Sequence, residues 1–315
     1  MTAERVHIGT SDIEIAPITL GGNVFGWTAD EPTSHAILDA FVAGGGNFID
    51  TADGYSAWVP GHTGGESETV IGSWLAGRGR RDDIVIATKV STKPDRKGLA
   101  PANIRLAADE SLARLGTDHI DLYYAHFDDE SVPLADTVGA LSELVDSGKV
   151  RSIGISNYSA ERIDEWLNIV AENGLHAPVA LQPHYNLVER AFEGDLRERA
   201  AAHNLSVFPY FALARGFLSG KYRPGVEIDS PRAGEAAKYL DERGLRVLEA
   251  LDAISAAHDT SVAAVSLAWL RQQPTVGAPI ASARSLEQLP PIVDSLRVEL
   301  SAAELQLLGA ASATA

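Results

Sequence analysis

The sequence contains no cysteine among its 315 residues, few basic side chains and no long apolar run. Without cysteine the chain has no disulfide, thiolate nucleophile, cysteine-ligated zinc or iron–sulfur cluster. Because 26 lysines and arginines stand against 43 aspartates and glutamates, the net charge is −17, which disfavours nucleic acid and anionic membranes as partners. The longest nearly apolar run, residues 262–270, is too short to cross about 30 Å of hydrocarbon. With no apolar leader visible, we expect a cytoplasmic protein.

What is present has the composition of a globular protein, with 45% hydrophobic and 22% charged residues. Short apolar segments typical of strands alternate with longer segments in which apolar residues recur every three or four positions. We predict eight strands, at residues 15–21, 47–52, 84–90, 120–126, 150–156, 179–184, 206–210 and 277–282. The first seven begin about 32 residues apart, which predicts one (β/α)₈ (TIM) barrel domain over residues 1–315.

Two additions to this barrel are predicted. Residues 6–8 and 13–15 alternate like a β-hairpin that could close the bottom of the barrel. Residues 215–234, rich in polar residues and marked by glycine and proline, form a long loop expected over the carboxyl-terminal face. A doubly wound fold is disfavoured because the glycines at 44–46 follow a helix and precede a strand, the reverse of a dinucleotide fingerprint. Helix N-caps are predicted at Ser67, Ser159 and Ser285.

Polar side chains recur at the carboxyl ends of seven consecutive predicted strands. In a parallel barrel these ends share one rim, so the side chains should converge on one mouth. The residues concerned are Asp50, Lys89, His126, Ser156, Asn157, Gln182, Tyr210 and Ser282. Any one of them could be a loop cap or a satisfied core residue, but the series indicates a functional site.

Asp50 and Lys89 should face each other from neighbouring strands, because a buried ammonium needs a carboxylate partner. Tyr55 lies five residues beyond Asp50, in the loop over the same mouth. A nearby ammonium should lower the pKa of its phenol from about 10 and make it a proton donor near neutrality. His126 could add a hydrogen bond to the phenol oxygen or to a substrate carbonyl. This set suits carbonyl reduction, with hydride delivered to carbon and the phenol protonating oxygen.

At these residues the chain resembles the aldo-keto reductases over nearly its whole length. The matching motifs are residues 48–55 (FIDTADGY), 87–90 (ATKV), 121–126 (DLYYAH), 154–158 (GISNY), 181–186 (LQPHYN), 214–222 (ARGFLSGKY) and 279–288 (PIASARSLEQ). Each motif is weak alone, but their order and spacing together are specific. The resemblance implies a catalytic tetrad of Asp50, Tyr55, Lys89 and His126, with Tyr55 as the acid.

The resemblance also implies NADPH bound across the barrel mouth. Ser156, Asn157 and Gln182 would then hold the carboxamide, with Tyr210 stacked on the nicotinamide. The pyrophosphate would lie along Leu213, Arg215 and Gly216, and the adenosine end among Ser282, Arg284 and Gln288. A guanidinium at Arg284 suits a 2′-phosphate. Two departures, Ala-Ser at 281–282 where the family usually has Pro-Gly and Leu-Pro-Pro-Ile at 289–292, keep NADH as a second candidate cofactor.

The expected function is therefore reversible reduction of an aldehyde or ketone. Trp27 and Trp58 lie in loops over the mouth, where aromatic walls suit apolar carbonyl substrates. No metal is expected, since metal-ligand spacings are missing and the Lys89 ammonium would repel a cation. The alternative is a nicotinamide-nucleotide-binding regulatory subunit with little turnover. The sequence does not indicate the oligomeric state.

Overall fold

The computed structural model describes residues 4–229 and 233–313. Within these ranges, eight parallel strands form one curled sheet in the order β10-β3-β4-β5-β6-β7-β8-β9. These strands are β3 (Thr19–Gly21), β4 (Phe48–Asp50), β5 (Val85–Val90), β6 (Ile120–Ala125), β7 (Val150–Ser156), β8 (Pro178–Gln182), β9 (Ser206–Val207) and β10 (Ile280–Ala281). The order follows the chain, apart from β10, which pairs with β3. The structure therefore has the predicted (β/α)₈ barrel.

The barrel closes between β9 and the segment that leads into β10. Val207 donates its backbone N–H to Thr275 O at 2.9 Å and accepts from Gly277 N at 2.9 Å, and Ile280 N donates to Pro209 O at 2.9 Å. Several strands are shorter than predicted because their apolar ends continue as extended loop. Tyr210 shows this: it lies three residues beyond β9 and is tied to the sheet by a single bridge to His184.

The predicted N-terminal hairpin is present. β1 (Val6–His7) pairs antiparallel with β2 (Glu14–Ile15). Ile8, Ile13 and Ile15 are buried in one cluster with inward-facing barrel residues, among them Phe48 and Phe208. The hairpin thus covers the amino-terminal end of the barrel with apolar side chains, and burial of those side chains stabilises the closure.

Helices pack around the outside of the sheet. Within the described ranges they are α1 (Glu31–Ala43), α2 (Glu66–Arg78), α3 (Pro101–Leu115), α4 (Leu134–Asp146), α5 (Ala160–Asn173), α6 (Asp195–Ala202), α7 (Ala233–Ala237), α8 (Glu242–Ala257), α9 (Val262–Arg271), α10 (Pro290–Asp294) and α11 (Ala302–Ala311). None of them is long and apolar enough to cross a membrane. A single domain and a cytoplasmic location stay predictions.

One of the three predicted N-caps is confirmed. Ser159 accepts a hydrogen bond from Arg162 N at the start of α5. Ser67 was wrong as a cap: α2 begins at Glu66 after Gly65, and the Ser67 hydroxyl is buried, donating to Gly22 O at 2.8 Å. Ser285 precedes a short 3₁₀ turn, and the following α-helix begins five residues later. These two predictions failed because α2 begins at a turn before Ser67, and α10 begins after the 3₁₀ turn that follows Ser285.

The loop predicted at 215–234 begins in a 3₁₀ segment, Ala214–Ser219, at the carboxyl-terminal face. Residues 230–232 lie outside the described ranges. α7 follows, and Arg215 approaches its Glu235 at 3.8 Å. This loop borders the mouth of the barrel, as its position after β9 predicts.

Candidate active site

A cleft of about 680 Å³ opens at the carboxyl ends of the barrel strands. Apart from Lys89, every residue that the sequence predicted for the site lines it. These are Trp27, Asp50, Tyr55, Trp58, His126, Ser156, Asn157, Gln182, Tyr210, Leu213, Arg215, Gly216, Ser282, Arg284 and Gln288. Lys89 lies fully buried beneath the cleft floor.

Lys89 joins Asp50 and Tyr55 at the base of the cleft. Its Nζ donates to Asp50 Oδ2 at 2.6 Å, to Thr51 O at 2.7 Å and to Tyr55 OH at 2.9 Å. β4 and β5 are neighbours, with Asp50 opposite Ala87, so the ammonium two residues further along β5 reaches the end of β4. All three protons of the ammonium are thereby used, which a buried cation requires.

The electrostatics of this group differ from the expectation at one point. Burial alone would lower the pKa of Lys89, but the Asp50 carboxylate and the Tyr55 hydroxyl beside it hold that pKa above its ordinary value. For Tyr55, burial raises the pKa above 10, and the Lys89 ammonium opposes this rise without reversing it. The expected lowering of the Tyr55 pKa was therefore wrong, because desolvation of the phenolate outweighs the ammonium.

His126 follows β6 directly and faces Tyr55 across the cleft, with 6.2 Å between the ring centroids. Burial and the Lys89 ammonium hold the pKa of His126 well below 6.5, so its imidazole is neutral near pH 7. Its Nδ1 lies 3.4 Å from Thr92 Oγ1. A neutral imidazole next to the phenol can donate one hydrogen bond to an oxygen in the cleft.

The polar side chains from β7, β8 and the segment after β9 bond to one another. Gln182 Nε2 donates to Asp50 Oδ1 at 2.9 Å, so both oxygens of Asp50 are bonded. Ser156 Oγ donates to Gln182 O at 2.9 Å, and Tyr210 OH donates to Asn157 Oδ1 at 2.8 Å. Asn157 adopts φ = 60°, a left-handed conformation that asparagine tolerates. This network fixes one wall of the cleft next to Lys89 and Asp50.

The segment after β9 carries unusual backbone strain. Phe211, Ala214 and Arg215 have φ of 51°, 47° and 58°, and Gly216 has φ of 101°. Left-handed conformations at residues other than glycine and asparagine cost on the order of 1–3 kcal/mol each and concentrate at binding sites. The guanidinium of Arg215 lies 4.1 Å from the ring centroid of Phe211. These left-handed residues change the direction of the chain, so that the segment runs along the edge of the cleft.

The far end of the cleft lies beyond β10. Ser282 Oγ donates to Asn23 Oδ1 at 2.7 Å, and a side chain at Gly21 would meet that hydroxyl at 2.5 Å. The guanidinium of Arg284 has no acidic partner among residues 4–229 and 233–313. Lys221, which the sequence reasoning missed, also lines the cleft, beside Gly216. Its only signal was its place in the motif at 214–222.

Aromatic side chains line the other end. Trp58 is 51% exposed and meets Trp27 edge to face, with 5.4 Å between ring centroids, and meets Tyr55 at 6.1 Å. Phe127, also missed, is 47% exposed and stacks on His126 at 4.9 Å. Its position directly after His126 was the available signal. Across the described residues, no cluster of histidine and acidic side chains could hold a metal ion.

A parallel barrel whose polar side chains meet at the carboxyl ends of its strands has the construction of the (β/α)₈ enzymes. Comparison with known proteins narrows the class. The model of the Aldo/keto reductase family matches residues 17–313, so the chain belongs to this family of oxidoreductases, which act on small carbonyl compounds and generally use NAD(P)H.

Curated relatives agree with this membership. Protein tas of Escherichia coli is 33% identical, over 94% of this chain and 93% of its own length. Norsolorinic acid reductase B of Dothistroma septosporum is 31% identical, over 96% of this chain and 79% of its own length. An oxidoreductase of Bacillus subtilis, YrpG, is 32% identical over 97% and 94% of the two chains.

Proposed function

We propose that the protein is an NADPH-dependent reductase of aldehydes or ketones in which Tyr55 is the general acid. The observation that carries the proposal is the bonding of Tyr55 OH to Lys89 Nζ, 2.9 Å apart at the base of the cleft. A hydroxyl held there by an ammonium is placed to give a proton to an oxygen above it. The names of the relatives add weight, since one is a reductase and another an oxidoreductase.

The donor set of the cleft fits a nicotinamide nucleotide. Asn157 and Gln182 offer amide groups near the tetrad. Arg215, Lys221 and Arg284 also line the cleft, three cations in a protein whose net charge is −17, and cations are what pyrophosphate and 2′-phosphate groups need. We assign the carboxamide to Ser156, Asn157 and Gln182, the pyrophosphate to the segment 213–216, and the adenosine end to Ser282, Arg284 and Gln288.

Tyr210 is assigned to the nicotinamide. One face of its ring is covered by His184, stacked at 5.3 Å and 13°, so the nicotinamide takes the other face. The hydrogen bond from Tyr210 OH to Asn157 holds the ring in place. When bound, the nucleotide supplies or accepts hydride.

The protein's own groups handle the proton. His126, neutral near pH 7, donates a hydrogen bond to the substrate oxygen and orients the carbonyl. Tyr55 gives its proton to that oxygen as negative charge develops, and the Lys89 ammonium stabilises the phenolate left behind. Asp50 keeps Lys89 charged and in place. In the reverse direction the same groups take a proton from an alcohol, so the proposed reaction is reversible.

The substrate end favours apolar carbonyl compounds. Trp27, Trp58 and Phe127 line it, with Trp58 packed against Trp27 and Tyr55 and with Phe127 stacked on His126. A substrate with a carboxylate or phosphate would find no free cation near Tyr55 among the described residues, because Lys89 is fully bonded.

The test is turnover with defined substrates. Purified protein is mixed with NADPH or NADH and a panel of aryl aldehydes, ketones and carboxylated aldehydes, and loss of reduced nucleotide is matched to alcohol formed. Alcohols with oxidised nucleotide test the reverse direction. We expect stoichiometric alcohol, faster with NADPH and with uncharged aryl aldehydes. Tight nucleotide binding with no alcohol from any carbonyl would instead favour a nucleotide-binding regulatory role.

A further inference from the structure

Asp53 is a buried carboxyl group that the mechanism above does not use. It lies three residues after Asp50 and two before Tyr55, and its exposed fraction is 0%. Neither of its carboxyl oxygens has a side-chain hydrogen-bond partner among the described residues, and the nearby backbone N–H of Gly54 only partly favours a negative charge there. An ionised carboxylate left unpaired in this way is far more costly than a neutral carboxylic acid in the same place.

The surroundings of Asp53 explain why it lacks a partner. Glu68 of α2, also fully buried, takes the nearest donors: Arg114 Nε at 2.7 Å and Thr88 Oγ1 at 2.5 Å. Arg96 is committed to Glu110 of α3, which also bonds Arg114. Tyr123 of β6, whose hydroxyl has no partner among the described residues, lies close enough to interact with Asp53. The stem of Lys93 lies beside the same turn at Gly64, and its ammonium bonds Asp95 at 2.8 Å.

These neighbours favour the neutral form of Asp53. Burial, and next the negative charge of Glu68, raise the pKa of Asp53 from 3.8 to about 7, while Arg114 and Arg96 act in the opposite direction. The two arginines do not prevail because each already neutralises another carboxylate. Asp53 therefore changes charge within the range of pH at which a cellular enzyme works.

The backbone of Asp53 connects it to two residues of the tetrad. Its N–H donates to the carbonyl of Lys89 at 3.1 Å, and in the same turn Tyr55 N donates to Ala52 O at 3.2 Å. Negative charge on Asp53 would be repelled by Glu68 and attracted by Arg96 and Arg114. Any shift of Asp53 would pass through its backbone to the Lys89 carbonyl and to the turn that carries Tyr55.

We infer that Asp53 is a positioning residue that must be an uncharged carboxylic acid for Tyr55 to stand in its working place, so that ionisation of Asp53 ends carbonyl reduction on the alkaline side. The expected effect on turnover rests on the proposed function. The ionisation of Asp53 does not, because it is a property of the folded protein alone.

The first test is the pH profile of kcat for wild type, Asp53→Asn and the control Asp136→Asn. Asparagine copies the shape of the uncharged acid and does not ionise. Above about pH 7 we expect wild-type kcat to fall by up to about tenfold per pH unit, whereas Asp53→Asn stays level to about pH 8. Asp136 is exposed in the first turn of α4 and forms no ion pair in the described structure, so its variant should keep the wild-type fall.

A further readout separates positioning from a general loss of structure. Nucleotide affinity, measured by fluorescence titration, should be the same in wild type and Asp53→Asn at each pH, because the cofactor end of the cleft is not involved. An alkaline fall that persists unchanged in Asp53→Asn overturns the inference.

The second test needs no turnover and so remains decisive if the proposed function fails. Since the pKa of Asp53 is raised in the folded state, wild type loses stability as pH rises from 3.8 to about 7. Asp53→Asn has no such loss, so its Tm minus that of wild type should grow over this interval. A Tm difference that does not change with pH overturns the inference.

Two measurements cover the case in which Asp53→Asn does not fold. Asp53→Ser, which is smaller and also uncharged, replaces it in both tests. In wild type carrying ¹³C-labelled aspartate carboxyl groups, one resonance should titrate near pH 7. If every aspartate titrates below about pH 5, in the ordinary range, Asp53 is not the acid described and the inference falls.

Discussion

The two ends of the cleft are built in opposite ways. At the tetrad end, polar groups are buried and already bonded to one another: Asp50 accepts from Lys89 and Gln182, and Lys89 has used all its protons. At the nucleotide end, Arg284 and Lys221 stand in loops, exposed in part or fully and without an acidic partner in the described ranges. The first end is organised before anything binds, whereas the second offers free donors to a ligand.

This difference indicates which end of the cleft lowers the activation barrier and which end contributes binding affinity. Preorganised dipoles at the tetrad cost nothing to arrange during reaction and therefore lower the barrier. Under the proposed function, the free cations at the other end gain hydrogen bonds when the phosphates of the nucleotide bind, and therefore contribute affinity. Substitutions at the tetrad should accordingly change kcat, and substitutions at the nucleotide end should change Kd.

Tyr55→Phe should give the largest effect. The phenol hydroxyl is the proton donor of the proposed mechanism, and general acid catalysis contributes about 10²–10⁴-fold. We expect kcat for carbonyl reduction to fall by that factor, measured under conditions in which the chemical step limits the rate. Nucleotide affinity, followed by fluorescence titration, should remain that of wild type. A variant retaining more than about a tenth of wild-type kcat would remove Tyr55 from the role of acid.

Lys89→Met should reduce kcat about as much, and it should also destabilise the fold. Removing one partner of a buried ion pair costs about 3–5 kcal/mol, because the Asp50 carboxylate is left with only the uncharged Gln182 and Tyr55 as side-chain partners in the described structure. Without the ammonium, the pKa of Tyr55 rises further above 10, so Tyr55 becomes a weaker acid. Thermal unfolding and kcat measure the two effects.

The double variant Asp50→Asn/Lys89→Met separates them. It removes both buried charges, so it should recover stability relative to Lys89→Met while kcat stays low. Recovery of kcat in the double variant would show that the ammonium acts only by neutralising Asp50.

The tetrad end could be predicted from the sequence because strands order it. Asp50, Lys89 and His126 stand at or just beyond the ends of consecutive parallel strands, and parallel strands bring such ends to one rim. The barrel could be predicted from the alternation of strand and helix segments along the chain. The limits of the strands could not, because apolar residues continue into extended loops: the strand predicted at 206–210 is the two-residue β9.

Properties that depend on three-dimensional surroundings were not predictable in this way. The pKa of Tyr55 depends on how deeply its hydroxyl is buried, which no spacing reveals, and the ammonium alone suggested the wrong direction. Asp53 looked like one more polar residue of a motif, since its lack of partners arises from α2 and α3 packing their own ion pairs against each other. The predicted N-cap at Ser67 was wrong because a turn at Gly65 starts that helix.

Arg284→Ala tests the nucleotide end and should have an intermediate effect. A hydrogen bond to a charged group contributes about 1.5–3 kcal/mol, so the Kd for NADPH should rise by about 10- to 150-fold. NADH, which lacks the 2′-phosphate, should bind about as in wild type, and kcat at saturation should change little. Equal weakening of both nucleotides would mean that Arg284 holds a part of the cofactor that they share.

Trp58→Ala should have the smallest effect, because the side chain acts on one class of substrate only. Trp58 is half exposed and touches Trp27 and Tyr55 by ring edges, and such aromatic contacts contribute about 0.5–1.5 kcal/mol. We expect KM for aryl aldehydes to rise by about 2- to 10-fold, with KM for short aliphatic aldehydes and the Kd for NADPH nearly unchanged. Leu106→Ala, a change at an exposed apolar side chain on α3, is the matched control. An equal rise for aryl and aliphatic substrates would show that Trp58 supports the loop and does not contact the substrate.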